Sequence, residues 1–225
     1  MPALIAFDLD GVLYSSEPFL GEAYREAIAN VNARRPNSFP RVPSTREILD
    51  HVGWPVTVIL ARLFPDIDGT AVDLLYAETL EVICAHVTRR EGTLFDSVAE
   101  TLAHLRRSGL LLAVASNGRQ QYIETVLSTY SIARHFLELA TIESGVIENK
   151  AGILRAYLAR HSLAPVRLVM VGDRSSDVEA AAAVGCHFIG CDYGHGYRDE
   201  IEGAGPIVSA FDQLPAAIAV VLTAA

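Results

Sequence analysis

Two aspartates, Asp8 and Asp10, stand one residue apart at the end of the first apolar stretch of this 225-residue chain, and Gly11 follows them at once. Strands disfavour aspartate, so a pair at a strand end is a poor choice for structure alone. Two neighbouring carboxylates can instead divide a reaction between them, one attacking as a nucleophile and the other carrying a proton. We therefore expect a catalytic role for the pair rather than a solvated turn.

Three further groups of polar residues could complete such a site: Ser116-Asn117-Gly118, Lys150, and the run Gly172-Asp173-Arg174-Ser175-Ser176-Asp177. Each has an ordinary explanation when it is taken alone. The first could be a simple turn, and Asp173 and Asp177 could cap a helix and open its first turn. Lys150 could be a surface lysine, but a cation at a helix start opposes the helix dipole, which favours another role.

Together these groups have the chemistry of a site for a metal ion and a phosphate. Carboxylates that converge repel one another unless a hard cation binds them, and Mg²⁺ binds one or two carboxylates together with a substrate phosphate. A phosphate also needs donors, which a hydroxyl, a glycine turn and an ammonium group provide. Ser116, the Asn117-Gly118 turn and Lys150 supply these three kinds of donor. The sequence thus predicts Mg²⁺ as the cofactor and a phosphoryl group as the ligand.

The elements that must position these residues are short, continuously apolar runs. Such runs are typical of parallel strands covered on both faces, and they occur at residues 4–7, 110–115, 137–140, 168–171 and 187–190. Helical patterns occur at residues 97–107, 120–130, 150–161, 177–184 and 211–222. This alternation predicts an α/β fold with a doubly wound, Rossmann-like parallel sheet. Ligands bind such sheets at the carboxyl ends of the strands, where all four groups of polar residues are expected to meet.

The stretch between the first and second strands has helical patterns only, and we interpret it as an inserted all-helical cap domain. The predicted boundaries place residues 1–15 and 91–225 in the α/β core domain and residues 16–90 in the cap. Within the cap, segment 51–55 joins two helices and holds Trp54, the chain's only tryptophan. It is either a plain connection with a half-buried tryptophan or a turn that faces the site.

The composition argues against several classes of protein. The chain carries 27 acidic and 18 basic residues, and its formal net charge of −9 is unfavourable for general electrostatic binding of nucleic acid. It has no apolar run of membrane-spanning length and no signal-peptide pattern, so we expect a cytoplasmic protein without a membrane partner. The three cysteines lack metal-ligand spacing and are expected to be buried thiols. The oligomeric state is left open, and the glycine-containing loop 194–197 is left outside the predicted site.

Four motifs in a fixed order give the chain a resemblance to the haloacid dehalogenase superfamily of phosphohydrolases: residues 8–13 (DLDGVL), 116–118 (SNG), Lys150 and 172–177 (GDRSSD). The resemblance covers nearly the whole chain. The helical insertion is similar to the cap of the phosphoglycolate phosphatase-like and β-phosphoglucomutase-like branches. There are two departures: Ser15-Ser16 stands where these branches often have Asp-Ser, and Ala151 follows the lysine where proline is frequent.

The resemblance implies roles for the residues that attack and bind the phosphoryl group. The nucleophile of the family corresponds here to Asp8, and the general acid and base corresponds to Asp10. The phosphate ligands correspond to Ser116 and Lys150, with Asn117 contributing through its backbone.

The resemblance also implies the residues that hold the metal. Mg²⁺ would be bound by Asp8, by the backbone carbonyl of Asp10 and by Asp173. Asp177 would lie nearby, binding the metal directly or through another ligand. These residues are therefore the expected metal site.

The expected function is that of a Mg²⁺-dependent phosphatase that hydrolyses a small phosphorylated metabolite through an aspartyl-phosphate. In capped members of the family a turn like segment 51–55 helps to select the substrate, which makes Gly53 and Trp54 candidate specificity residues. A sugar-phosphate mutase could use the same site, and the sequence does not separate the two. A haloacid dehalogenase is disfavoured because it needs neither a metal nor a second aspartate. A protein that only binds a phosphorylated ligand is a further alternative, although no expected catalytic group is missing.

Overall fold

In a computed structural model, residues 2–142 and 147–223 of the chain are described. The strands in chain order are β1 (Leu4–Phe7), β2 (Tyr14–Ser15), β3 (Thr93–Leu94), β4 (Leu111–Ser116), β5 (Glu138–Thr141), β6 (Leu168–Gly172), β7 (His187–Cys191) and β8 (Ile207–Val208). The α-helices are α1 (Glu17–Arg34), α2 (Thr45–Leu49), α3 (Val56–Leu63), α4 (Gly69–Thr88), α5 (Val98–Arg107), α6 (Gln120–Thr129), α7 (Lys150–His161), α8 (Ser175–Val184), α9 (Arg198–Ile201) and α10 (Leu214–Thr223).

Six of these strands form one parallel sheet in the order β5-β4-β1-β6-β7-β8. The central strand, β1, is completely buried and pairs with β4 and β6, so that Phe7 lies opposite Val114 and Val171. Helices alternate with the strands from β4 onward, which confirms the predicted Rossmann-like α/β fold. Because all six strands run in the same direction, their carboxyl ends lie at one edge of the sheet.

Two helix starts differ from the prediction by more than one residue. Helix α8 begins at Ser175, two residues before the predicted start, because Asp177 is its third residue and accepts a hydrogen bond from the N–H of Arg174 at 3.1 Å. The predicted helix 211–222 is divided into a 3₁₀ turn, Phe211–Gln213, and α10. Pro215 has no N–H to donate and fits only the first turn of an α-helix, so α10 begins immediately before it.

Within the described ranges, no helix combines the length and the apolarity that a membrane crossing requires.

The chain leaves the sheet and returns to it at a short antiparallel ribbon. Strands β2 and β3 pair there, with Tyr14 opposite Leu94 and Ser15 opposite Thr93. Helices α1 to α4 lie between these two strands, as the helical patterns predict, and they form the all-helical insertion. We propose the domain boundaries 1–15 and 91–225 for the core and 16–90 for the cap. The reason is that β2 and β3, the two segments that connect the core to the helical insertion, pair with each other.

Candidate active site

Asp8 lies immediately after the central strand, at the edge of the sheet. Its N–H donates to the carbonyl of Val171 at 3.0 Å, which extends the β1–β6 pairing by one residue. The chain then turns sharply, and the N–H groups of Leu13 and Tyr14 donate back to the carbonyl of Leu9 at 2.9 and 3.0 Å. Asp8 itself is 2% exposed. Asp8 is therefore a buried carboxylate whose position is set by sheet pairing.

Gly11 permits both this turn and the close approach of a second strand end. Its φ of +79° lies in the left-handed region, and a Cβ built on it would lie 2.1 Å from Oδ2 of Asp173. A larger residue would have to displace that carboxylate. The turn also brings Asp10 back to the cavity that Asp8 lines, as expected from the glycine that follows the pair.

Asp10 is held at this cavity by two hydroxyl groups. Its Oδ1 accepts hydrogen bonds from the Tyr122 hydroxyl at 2.7 Å and from Ser16 Oγ at 3.3 Å. Burial raises the pKa of Asp10 to about 7, with a further contribution from the charge of Asp8, although the Tyr122 hydrogen bond acts in the opposite direction. A carboxyl group that titrates near neutral pH can both donate and accept a proton.

Lys150, the only lysine of the chain, joins Asp8 to Asp177. It is the first residue of α7 and is 3% exposed, and its Nζ donates to Oδ2 of Asp8 at 2.9 Å and to Oδ1 of Asp177. Burial alone would lower the pKa of Lys150, but the two carboxylates outweigh it and raise that pKa. Burial also raises the pKa of Asp177, against the influence of Lys150. The lysine is therefore a charged group inside the site and not a surface residue.

Asp173 is held by the loop that follows β7. Its Oδ2 accepts hydrogen bonds from the N–H groups of His195 and Gly196 at 2.8 and 2.9 Å. The loop 194–197, which lies outside the predicted site, therefore contacts one of the predicted metal ligands. Burial raises the pKa of Asp173, and the charges of Asp177 and Asp8 add to the shift. Among the described residues, its buried Oδ1 has no hydrogen-bond partner.

We refer to Asp8, Lys150, Asp173 and Asp177 as the strand-end cluster. One carboxylate oxygen from each of its three aspartates lies within 4.8 Å of the other two. If all are ionised, three carboxylates and one ammonium leave a buried excess of negative charge, which is unfavourable without a counterion. Hard oxygen donors at this spacing, including the unpartnered Oδ1 of Asp173, fit a divalent cation. The cluster is thus a suitable site for a metal ion.

The turn 116–118 connects the sheet edge to the cap. Ser116 ends β4, and its Oγ accepts a hydrogen bond from the N–H of Gly118 at 3.1 Å. The side chain of Asn117 donates to the carbonyl of Gly53 at 2.8 Å. Gly53 and Trp54 line the same cavity as the two aspartates, so segment 51–55 faces the site and is not a plain connection.

A second contact joins the cap to the residue that follows Asp173. The guanidinium of Arg174 donates through Nη2 to the carbonyl of Asp50 and through Nε to Oε2 of Glu200, both at 3.1 Å. Gly53 has a φ of +100°, and a Cβ there would lie 2.9 Å from Cγ of Arg174. The turn of the cap therefore packs directly on the loop that carries a predicted metal ligand.

The cavity lies between the sheet edge and the helical insertion. Asp8, Asp10 and Ser116 line it from the core. The insertion contributes seven apolar side chains, which we call the apolar wall: Leu20 of α1, Ile48 of α2, Val52 and Trp54 of the 51–55 turn, Val56 and Ile59 of α3, and Ile83 of α4. A group that reacts at the two aspartates thus has its remaining atoms next to this wall.

Sequence reasoning missed the groups that hold Asp10 and Asp173. Tyr122 and Ser16 bind the first, and the N–H groups of His195 and Gly196 bind the second. The only sequence signal for Tyr122 is its closeness to the 116–118 motif. Backbone donors carry no residue-type signal, although the glycines at positions 194 and 196 indicate a tight loop at the right edge of the sheet.

Comparisons with known proteins find relatives that match almost the whole chain. A phosphoglycolate phosphatase from Vibrio vulnificus (strain CMCP6) is 30% identical over 229 residues, covering 99% of this chain and 97% of the relative. Among solved structures, a predicted phosphoglycolate phosphatase from Haemophilus somnus 129pt has a TM-score of 0.83 at 23% identity, with 96% of this chain and 97% of that chain covered. CbbY from Rhodobacter sphaeroides in complex with phosphate has a TM-score of 0.79 at 23% identity, with 95% and 96% covered. The two structural likenesses show a common fold.

The family assignment rests on the sequence of most of the chain. Residues 2–185 match the haloacid dehalogenase-like hydrolase family, and the matched range contains both aspartates, the lysine and the 172–177 motif. The curated relative from Vibrio vulnificus matches along almost its whole length. The chain therefore belongs to the haloacid dehalogenase-like hydrolases, in the phosphoglycolate phosphatase-like branch whose cap its helical insertion resembles.

Proposed function

We propose that this phosphohydrolase is a Mg²⁺-dependent phosphatase of a small phosphorylated metabolite, and that it works through an aspartyl-phosphate formed on Asp8. One observation carries the proposal: Asp8 and Asp10 line a single cavity, while Asp8 also belongs to the strand-end cluster. The name of the Vibrio vulnificus relative supports a phosphate monoester as the substrate.

The strand-end cluster supplies the ligands for both the metal and the phosphate. Asp8, Asp173 and Asp177, with the backbone carbonyl of Asp10, would hold Mg²⁺, which when bound supplies positive charge against the phosphate oxygens. Lys150 keeps an ammonium group 2.9 Å from the carboxylate of Asp8, where the phosphoryl group must lie.

The remaining phosphate ligands lie at the end of β4. The hydroxyl of Ser116 and the backbone of Asn117 donate hydrogen bonds to the phosphoryl oxygens in this proposal. Ser116 and Asn117 line the same cavity as Asp8. The phosphoryl group is therefore bound from two neighbouring strand ends.

The reaction divides into two displacements at phosphorus. First, a carboxylate oxygen of Asp8 bonds to phosphorus, the ester bond breaks, and Asp10 gives its proton to the departing oxygen, which leaves as an alcohol. Asp10, now ionised, then takes a proton from water as the water oxygen attacks phosphorus. This second step breaks the bond between phosphorus and the Asp8 oxygen, releases inorganic phosphate, and leaves Asp8 ionised and Asp10 protonated as at the start. The hydrogen bond from Tyr122 keeps Asp10 in place for both proton transfers.

The test is phosphate release from p-nitrophenyl phosphate and a panel of metabolite esters, with Mg²⁺ or with EDTA. We expect turnover with Mg²⁺ only, and we expect Asp8→Asn to lower kcat at least about 10⁴-fold because the nucleophile is removed. Asp96→Asn, at an exposed aspartate of the α/β domain, is the matched control and should leave kcat unchanged. Mass spectrometry of acid-quenched enzyme should find one added phosphoryl group on the peptide that contains Asp8.

Other outcomes would select the alternatives. Transfer of a labelled phosphoryl group within a sugar phosphate, without phosphate release, would favour a mutase. Tight binding of the esters with no turnover would favour a binding protein. Full activity of Asp8→Asn would reject the aspartyl-phosphate.

A further inference from the structure

We propose that the substrate of this site is a phosphate monoester of a compact, uncharged and largely apolar alcohol, rather than a phosphorylated carboxylic acid or a sugar phosphate. This inference rests on the proposed phosphatase function and adds the chemical class of the leaving group. It follows from the composition of the cavity beyond the phosphate and from the hydrogen bonds that its polar groups already make.

The position of the leaving group is fixed by the two aspartates. A phosphoryl group in contact with Asp8, Ser116 and Lys150 lies at the sheet edge, and Asp10 must reach the ester oxygen to protonate it. The cavity continues from these residues toward the helical insertion. The alcohol part of the ester therefore meets the apolar wall.

The apolar wall offers surface and almost no hydrogen bonding. Leu20, Ile48 and Ile59 are buried, while Trp54 and Ile83 are half-buried and retain surface that a ligand can cover. The guanidinium of Arg62 stacks 4.4 Å from the centroid of the Trp54 ring, which limits the freedom of that side chain. Each methylene that leaves water at such a wall improves binding about fourfold.

The one cation among the described residues that line this cavity is already engaged. Arg119 is 5% exposed, and its guanidinium donates to the carbonyl of Tyr76 and to Oγ1 of Thr79, both on α4. It also stacks on the ring of Tyr76 at 4.6 Å from the centroid. A carboxylate on the substrate would meet a buried guanidinium that already donates to two acceptors, or it would lie against apolar side chains next to Asp8 and Asp10. The cavity therefore disfavours a second anionic group.

Three neutral polar side chains of the cavity already donate to protein partners as well. The amide of Asn117 donates to the carbonyl of Gly53, and the hydroxyls of Tyr122 and Ser16 donate to Asp10. The hydroxyl groups of a sugar would lose water at the wall without finding equivalent partners. An alcohol with few or no further polar groups avoids this cost.

The test compares phosphate esters of primary alcohols, whose intrinsic reactivities are similar. We would measure kcat/KM with Mg²⁺ for 3-methylbutyl phosphate, 2-hydroxyethyl phosphate, phosphoglycolate and ribose 5-phosphate. The expected result is a preference of at least about tenfold for 3-methylbutyl phosphate over each of the others. A preference of that size for phosphoglycolate or for the sugar phosphate overturns the inference and leaves the phosphatase function intact.

A pair of variants on one helix connects the preference to the wall. Ile83→Gln places an amide at the cavity, and we expect it to lower kcat/KM for 3-methylbutyl phosphate about tenfold with less than about twofold change for 2-hydroxyethyl phosphate. Leu74→Gln, at an exposed residue of α4 outside the cavity, is the matched control and should change neither value. An equal loss on both esters in Ile83→Gln, with unchanged thermal unfolding, would count against a role in selectivity.

Binding provides a readout that does not depend on turnover. Trp54 is the only tryptophan, so a ligand at the wall should change the intrinsic fluorescence of the protein. With Asp8→Asn and Mg²⁺, 3-methylbutyl phosphate should bind at least about tenfold more tightly than phosphoglycolate. If no ester is hydrolysed, including p-nitrophenyl phosphate, the proposed function fails, and this titration alone decides the inference: tighter binding of phosphoglycolate would reject it.

Discussion

The strand-end cluster and the apolar wall face the same reacting group, but the chain builds them in different ways. Backbone geometry fixes the cluster: sheet pairing holds Asp8, two loop N–H groups hold Asp173, and the N–H of Arg174 holds Asp177. The wall consists of side chains from four helices and the 51–55 turn that share only their apolar character. Replacements in the cluster should therefore change the chemistry, and replacements in the wall should change the choice of substrate.

Asp10 lies between the two regions, and Asp10→Asn should have the largest effect in this comparison. An amide cannot protonate the leaving group, so kcat/KM for an alkyl phosphate should fall about 10³-fold. The loss for p-nitrophenyl phosphate should be much smaller, because its leaving group departs without a proton. Steady-state kinetics with both esters measures the difference, with Asp66→Asn at an exposed cap residue as the control. An equal loss on both esters would assign Asp10 to the cluster and not to proton transfer.

The ionisation of the buried aspartates can be followed through the pH dependence of the free energy of unfolding, measured without metal. Burial raises the pKa values of Asp173, Asp177 and Asp10, the last from 3.8 to about 7, so the folded chain holds these protons where the unfolded chain has lost them. The free energy of unfolding in EDTA should therefore fall as pH rises from about 4 to about 7, by about 2 to 4 kcal/mol. Mg²⁺ binds the ionised carboxylates and should restore stability most at the upper end of this range.

The measurement is urea unfolding followed by the fluorescence of Trp54 at several pH values. Done once in EDTA and once in Mg²⁺, it gives the free energy of unfolding against pH for each condition. Asp177→Asn is a useful comparison, because an amide at this position cannot titrate and the EDTA curve should become flatter. A stability in EDTA that rises with pH through the same range would contradict this description of the cluster.

The contact between the two regions should give the smallest effect. Gly53→Ala forces a Cβ toward Arg174 at a backbone φ of +100°, and we expect it to lower the free energy of unfolding by about 1 to 2 kcal/mol and to raise KM more than it lowers kcat. Gly69→Ala is the matched control, because a Cβ there meets nothing within 4 Å. If Gly53→Ala were as stable as the control, the turn would be free to move away from Arg174, and the wall would be less firmly joined to the cluster.

The sequence predicts the large elements well and the small ones poorly. Continuous apolar runs identify β1, β4, β6 and β7 because burial on both faces leaves few polar residues in a strand. Strands β2, β3 and β8 have two residues each, too few for any periodicity, and they form only because other strands lie beside them. Length therefore decides which parts of this sheet can be predicted from the sequence.

The same division holds within the candidate site. The aspartate pair and the lysine are predictable because strands disfavour aspartate and a cation opposes the dipole at a helix start. Asp173 and Asp177 are ordinary at a helix start and are predictable only from the order of the four motifs. The partners of these residues are not predictable, because Tyr122 lies 112 positions from Asp10, and Asp50 lies 124 positions from Arg174. Such contacts depend on how the insertion folds over the sheet, which no local pattern records.

The burial of Lys150 has a consequence for proteolysis. An endoprotease specific for lysine can cut this chain only after residue 150, and both Lys150 and Ala151 are buried in the first turn of α7. The folded chain is cut there only when this turn opens and the lysine leaves its two aspartates. The rate at which the two fragments form thus reports the local opening of the active site at Lys150. The measurement reads one site per molecule and needs neither a label nor a substrate.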